Sequence, residues 1–505
     1  MEQQAFLFDL MRLKFGFMAC FHYIFVPLTL GLIVSTACME TAFVWTRNTP
    51  WKLAAHFWFR LFTVGWLLGL VTGYPLRAQL ESDWSNYYSF VKPVLDQVLP
   101  IEATLGPVML LLVGTLALFG HRLYPVMRML LTWGLGLSML CQSATILSVN
   151  AWMQHPTGID PSGSLAHPPS ILDLMTNPMA VSKITHVYSA ALVCGATFIC
   201  VIAATYVYRR QHQPVALVSL RLAVVLGALS TALAIVTGHY SAAHVERFQP
   251  MKFAAFEGLW KHEEGPAGLI LFARPQAAEQ TNREEIKIPY AMSVLAGYGL
   301  TNSPLGIRER VFEQENWIRR SLQNRDPAQS RVLGGYRALL ERERMRDSAS
   351  VSESELIHRT AMRTVPNVPV LFGAFRIMVF VGVVLLAFYM LALLMLKGVI
   401  AGRRRHLLLF APGILLLPWL ASTSGWLVAE MGRQPWAVYG YLPTVEAARL
   451  PPLSQGVFST LVVTSLYAVL GCLFVFMVLW IIRRGPGAPL LPTSWWVRGS
   501  APTPA

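Results

Sequence analysis

Charge is what this sequence has least of. Asp, Glu, Lys and Arg make up 13% of its 505 residues, about half the roughly 25% of an ordinary soluble domain. A soluble multidomain chain of this length needs far more charged surface. A disordered or fibrous chain would not be 54% hydrophobic or carry 15 Trp. What remains is an integral membrane protein. Cysteine is scarce as well: Cys20, Cys38, Cys141, Cys194, Cys200 and Cys472 lie in apolar stretches with no CxxC or CxxCH among them. They read as small buried hydrophobes, and covalent haem attachment or a zinc site has no support. Walker and GxGxxG motifs, internal repeats and low-complexity tracts are also missing. Residues 1–20 hold Glu2 and Asp9 and no small-residue cleavage site, so they read as the start of an uncleaved first span.

A membrane-crossing helix needs about 20 apolar residues. That rule gives nine spans, near 15–40, 54–75, 97–120, 127–150, 184–208, 216–239, 368–396, 406–430 and 457–482. The loops after the odd-numbered spans carry Arg47 and Lys52, Arg122 and Arg128, Arg209 and Arg210, Lys397 and Arg403 to Arg405, then Arg483 and Arg484. The net +14 therefore reports topology, with the N-terminus outside and the C-terminus cytoplasmic, and not nucleic-acid binding. Arg12 and Lys14 at the outer end run against that trend. Between the sixth and seventh spans, residues 241–365 hold 18 Lys/Arg against 16 Asp/Glu. This near-neutral loop lies outside by the alternation, and its stretch Ile307 to Met345 has the pattern of amphipathic helix. The division expected is 1–240 for six spans, 241–365 for the extracytoplasmic loop, 366–484 for three more spans, and 485–505 as a disordered cytoplasmic tail rich in Pro, Gly and Ser. The fold class is an all-α membrane protein, a bundle of nine transmembrane helices with one long polar loop.

Ionisable residues inside spans are costly, so each is a functional hypothesis. His22, Glu102, His186 and Arg376, with Met378 beside it, fall early in odd spans, and Glu430 ends an even one. All six belong to one outer layer of the bilayer. Imidazole and thioether together suit a haem iron, and a His/Met pair makes a low-spin electron-transfer centre. Taken singly, a buried His is more often a hydrogen-bonded core residue, Met378 a packing residue, and Arg376 an interfacial arginine reaching for water.

The strings FHYIFVPLTLGL (21–32), DWSNYY (83–88), Ile101-Glu102, NAWMQHP (150–156), NPMAVSKITH (177–186), KFAAFE (252–257), IPYA (288–291), AFRIM (374–378) and AEMGRQPW (429–436) together resemble subunit I of the cytochrome bd family of quinol oxidases. The resemblance runs along nearly the whole chain. It implies nine spans, a quinol-binding loop after the sixth, and a bacterial cytoplasmic (inner) membrane. It implies His186 and Met378 as axial ligands of a low-spin haem b with Arg376 beside it. His22 and Glu430 would each ligate one of two high-spin haems, a haem b and a haem d or second haem b, with Glu102 next to them as ligand or proton carrier. Arg433 would pair with haem propionates, and Lys252 and Glu257, with Gln249 as a weaker addition, would contact the quinol. By spacing alone Lys252 and Glu257 are an exposed charge pair. The implied activity is quinol oxidation at the outer face and oxygen reduction to water, with protons taken from the cytoplasm without pumping. The implied partners are a homologous second membrane subunit, a small single-span subunit, and lipid.

The chain departs from that family where a cytoplasmic proton route is expected. An acidic position two turns after Glu102 is Leu110, followed by Leu111. An acidic position before Gln79 is Arg77, a serine position is Gln142, and an acidic stretch after the sixth span reads Gly238-His239-Tyr240-Ser241-Ala242. Leucine cannot relay protons, so Gln142, Ser143, Thr145 and Ser148 of the fourth span become the expected route. Two other readings stay open: a haem b electron-transfer or scaffold paralogue without oxygen reduction, and a secondary transporter, whose inverted repeats the sequence does not display.

Overall fold

The computed structural model describes residues 2–159, 165, 167–323, 327–346, 351–396 and 408–487. Nine helices among them are long and apolar enough to cross a membrane: Glu2–Thr46, Thr49–Ser82, Ser85–Phe119, Pro125–Gln154, Pro178–Tyr208, Gln213–Phe248, Val368–Leu396, Leu408–Met431 and Leu453–Arg484. They coincide with the nine expected spans, and most run longer. Most of the extra turns lie at the bundle end that carries Glu2 and Phe248, where backbone bonds within a helix still satisfy groups that loops would leave open. The first helix therefore begins at Glu2, and the sixth continues to Phe248. The loop charges Lys397 and Arg403 to Arg405, and the tail from residue 488, lie outside the described residues.

The fifth span is central: 83% of its apolar window is buried, against 17% for the third and ninth spans. It crosses the first span at Gly31 and Gly195, where the backbones touch. A Cβ on Gly31 would overlap the Ala191 carbonyl and stand 2.8 Å from Gly195 Cα. Small residues at such a crossing let dispersion replace the hydrophobic drive that lipid removes. A large cluster built on Leu28, Ile33, Trp58, Phe62, Ile199 and Tyr389 fills the half of the bundle toward Thr46 and Tyr208.

The two basic residues that opposed the expected orientation are neutralised locally. Lys14 is buried, with Nζ 2.5 Å from Asp83 and donating to Ser459, and Arg12 faces Asp9 at 3.6 Å. Arg128 is likewise no loop charge. It is buried in the fourth span against Glu40 of the first. The cysteines divide, in part against expectation: Cys194 and Cys200 are buried, but Cys20, Cys141 and Cys472 face outward, where lipid would accept them as readily as a core does.

The loop between the sixth and seventh spans folds on the bundle. A short helix, Pro250–Glu257, ends at Gly258, whose φ of +73° suits a residue without Cβ. A twisted antiparallel hairpin follows, with β1 at Leu269–Gln276 and β2 at Thr281–Ile288, strands that the sequence pattern did not suggest. The helices Ile307–Gln323 and Pro327–Arg346 cover the amphipathic stretch expected there, and Glu353–Met362 leads into the seventh span. One apolar cluster ties Phe253 and Phe256 of the short helix to Val311, Leu340, Leu371 and Trp436.

Candidate functional site

His186 lies two turns inside the fifth span. Its Nδ1 is 3.0 Å from the Ala234 carbonyl oxygen of the sixth span. Donation to that carbonyl fixes the tautomer and leaves Nε2 as a base, the state of a metal-ligating imidazole. Gly238, one turn further along, makes room: a Cβ there would stand 3.1 Å from His186 Cε1. Met378 has the same provision, since a Cβ on Gly425 of the eighth span would come within 2.9 Å of its Sδ. Two glycines on separate spans thus clear space around the two candidate axial ligands.

His22 is held from the second span, with Nδ1 3.1 Å from Thr72 Oγ1 and its ring against Gly73. Glu102 faces Arg77 of the same span at 3.9 Å. The residue standing in place of an expected acid therefore supplies Glu102 with a counter-charge.

Around Glu430 the geometry is densest. Asn150 Nδ2 donates to its Oε1 at 3.1 Å, Gln154 Nε2 reaches the same oxygen at 3.5 Å, and Arg433 Nη2 donates to Oε2 at 2.6 Å. Lys183 Nζ stands 4.0 Å away, contacts Asn150 Oδ1, and sits 4.9 Å from the centre of the Trp426 ring. Tyr23, next to His22, packs edge-on against Trp426 at 5.3 Å. Lys252 closes the group, donating to Gln154 Oε1 at 2.6 Å and to the Ala429 carbonyl at 2.9 Å. Three cations thus surround one carboxylate. Arg433 Nε and Nη1, and Gln249 Oε1, are buried without a hydrogen-bond partner among the described residues. Burial and the neighbouring Arg433 push the Lys252 ammonium well below its ordinary range, Glu430 opposes that, and Lys183 adds to it. A group bearing carboxylates would satisfy the orphaned guanidinium atoms and balance the charge.

Lys252 and Glu257 are not an exposed pair: they are 3% and 5% exposed. Five residues apart on one helix, they point to different partners. Glu257 Oε2 accepts from Arg376 Nη2 at 2.7 Å, and Arg376 Nε donates to the Ile270 carbonyl of β1, also at 2.7 Å. The guanidinium lies over Phe372 and Phe375. Arg376, expected beside the low-spin haem b, is anchored to the loop by these two contacts. Burial raises the Glu257 carboxyl above its ordinary value, and Arg376 pulls it back part of the way.

The polar residues of the fourth span do not form one line. Gln142, Thr145 and Ser148 follow at i, i+3 and i+6. Thr145 donates to the Gln142 carbonyl and Ser148 to that of Ala144. Ser143 turns away, to Tyr188 Oη at 3.0 Å and the Leu140 carbonyl. Leu110 and Leu111 are 56% and 70% exposed on the outer surface of the third span. Lys183, Gln154, Asn150 and Thr72 were not singled out from the sequence. Lys183 was missed because the fifth span was drawn from residue 184, which put its charge in a loop.

The family model described as Cytochrome bd terminal oxidase subunit I matches residues 10–486. Cytochrome bd-II ubiquinol oxidase subunit 1 of Escherichia coli (strain K12) is 33% identical over 95% of this chain and 97% of its own length. Cytochrome bd ubiquinol oxidase subunit 1 of Bacillus subtilis (strain 168) is 30% identical over 94% and 93%. The fold matches a chain of the bd oxidase from Geobacillus thermodenitrificans with a TM-score of 0.78 at 21% identity, covering 95% of this chain and 99% of that one. With the family model spanning nearly all of it and relatives aligned from end to end, the chain belongs to the cytochrome bd terminal oxidase subunit I family.

Proposed function

We propose that this protein is the haem-bearing subunit of a bacterial inner-membrane quinol oxidase, oxidising quinol at the outer face and reducing oxygen to water. The observation that carries the reading is the pair of glycines, Gly238 against the His186 ring and Gly425 against the Met378 Sδ, with His186 Nδ1 held by the Ala234 carbonyl so that Nε2 is left as the base. Such a donor set fits a low-spin haem b. His22 and Glu430 would hold a high-spin pair, and the cation excess of Arg433, Lys183 and Lys252 suits carboxylate-bearing groups. Bound there, the haems would supply electron transfer and oxygen reduction, one of the high-spin pair being haem d or a second haem b.

The chain's own residues handle protons and position. Glu257 would take a proton from quinol as a carboxylate, with Lys252 and Gln249 bounding that side of the loop. Because the site lies near the outer face, protons for water have to come through the bundle from the cytoplasm, without pumping. Glu102, Gln142, Thr145 and Ser148 are the groups of the third and fourth spans placed for that, with Ser143 on another face. The N-terminus would be outside and the C-terminus inside. The partner would be a homologous second membrane subunit, with a small single-span subunit, and the exposed faces of the third, seventh and ninth spans would meet it or lipid.

The test is a dithionite-reduced minus air-oxidised spectrum of the purified complex, repeated with carbon monoxide. The expected result is a low-spin b band together with a carbon monoxide-reactive high-spin signal. A low-spin band alone would favour the electron-transfer paralogue, and no haem band at all would leave the transporter.

A further inference from the structure

Within the described spans, Glu40 is a buried carboxyl with no part in the proposed reaction, at the end of the bundle opposite the long loop. Glu40 of the first span is 1% exposed and Arg128 of the fourth is 4% exposed, and Arg128 Nε donates to Glu40 Oε1. Lys52 is the other cation bearing on Glu40, and His56, on the same helix as Lys52, feels Arg128, Lys52 and Arg60. Thr132, one turn on from Arg128, is fully buried. The position of Glu40 along its helix is the informative part. His22, Thr29, Thr36 and Glu40 are separated by seven, seven and four residues. At 3.6 residues per turn they fall on one face. Thr29 and Thr36 are 4% and 0% exposed in an otherwise apolar interior. Each donates to a carbonyl of its own helix, which leaves hydroxyl lone pairs free to accept. At the upper end Thr72 of the second span meets His22, and Gly65 stands beside Thr29.

We infer that Glu40 is the proton-loading carboxyl of the cytoplasmic side, feeding a route up the first span past Thr36 and Thr29 to His22. Glu40 gives its proton to a water on the Thr36 side and is reprotonated from the cytoplasm. Arg128 neutralises the carboxylate in between, so no bare charge is left in the membrane interior. Electrons come from quinol, and each proton moved matches one electron used in making water. Bridging waters are needed, because seven residues rise about 10 Å. The route also removes the difficulty raised by Leu110, which faces away from the bundle. The inference rests on the oxygen-reducing reading and on the orientation proposed above. A purely structural ion pair joining two spans is the competing account.

Glu40→Gln distinguishes them, since the amide oxygen still accepts from Arg128 but the group carries no proton. The purified complex should keep its haem content and its reduced-minus-oxidised spectrum while oxygen consumption falls about tenfold or more. Glu40→Asp should restore most of the loss. Infrared difference spectra of the wild type should contain a protonated-carboxyl band that Glu40→Gln lacks. Thr36→Val leaves the ion pair in place and should slow proton uptake severalfold. Wild-type turnover in Glu40→Gln overturns the inference, and so does wild-type uptake in Thr36→Val if Glu40→Gln fails to assemble. A wild-type complex that binds haem but consumes no oxygen sinks the functional reading itself.

Discussion

At Gly425 the missing side chain is what gives Met378 its place. A methyl group there would meet Sδ at 2.9 Å, and a thioether on a flexible stem yields before a helix backbone does. Gly425→Ala should therefore lose the low-spin haem b band and keep the high-spin one, read from the reduced-minus-oxidised spectrum. At Glu257 the sign of the pH effect follows from its neighbours. Burial raises this carboxyl and Arg376 opposes the rise. In the proposed role of proton acceptor it would work when deprotonated, so quinol oxidation should fail as pH falls through its pKa. Arg376→Gln removes the opposing charge and should move that acid limb to higher pH, as measured by oxygen uptake against pH with saturating quinol. Most candidate ligands were legible residue by residue, because ionisable groups stand out in apolar runs. Lys183 and Glu40 were not. One falls in a loop when the fifth span is read from residue 184, six residues after its helix begins at Pro178, and the other closes a span whose helix runs six residues further, to Thr46.

Among the elements, the first and fifth spans are held at contact distance by Gly31 and Gly195. Gly195→Ala would press a Cβ into the Gly31 backbone. His22 and His186 are carried by these two spans, so a shift of either helix would move a candidate ligand against its neighbour on the second or sixth span. Overpacking of this kind costs about 1–3 kcal/mol, so the variant should show a lower Tm by detergent-solubilised thermal unfolding and a lower haem content per chain. The spans themselves were readable from hydropathy, which senses length and polarity alone. The hairpin was not. Its β2 strand is largely exposed and charged, with no alternation to read, and it forms because Ile270, Ala273 and Phe372 pack together in contacts distant in sequence.

For the whole molecule, the +14 resolves into two parts. The outer loop contributes only +2, from 18 basic and 16 acidic residues, and the rest sits in the bundle and its short ends. The proposed orientation follows. In a cysteine-free background, Glu279→Cys at the hairpin turn should react with a membrane-impermeant maleimide from the outside of intact cells, and Arg484→Cys only after the membrane is opened. Reversed labelling would invert the topology and with it the assignment of proton entry. The order of the chain has a further consequence, for biogenesis. Glu257 and Ile270 precede Arg376, so in the proposed orientation the loop would cross the membrane before the seventh span inserts. The arginine would then enter the membrane with its carboxylate and its backbone acceptor already waiting. A stalled or misfolded loop would deny it both, making insertion of the seventh span a checkpoint on the export of the segment before it.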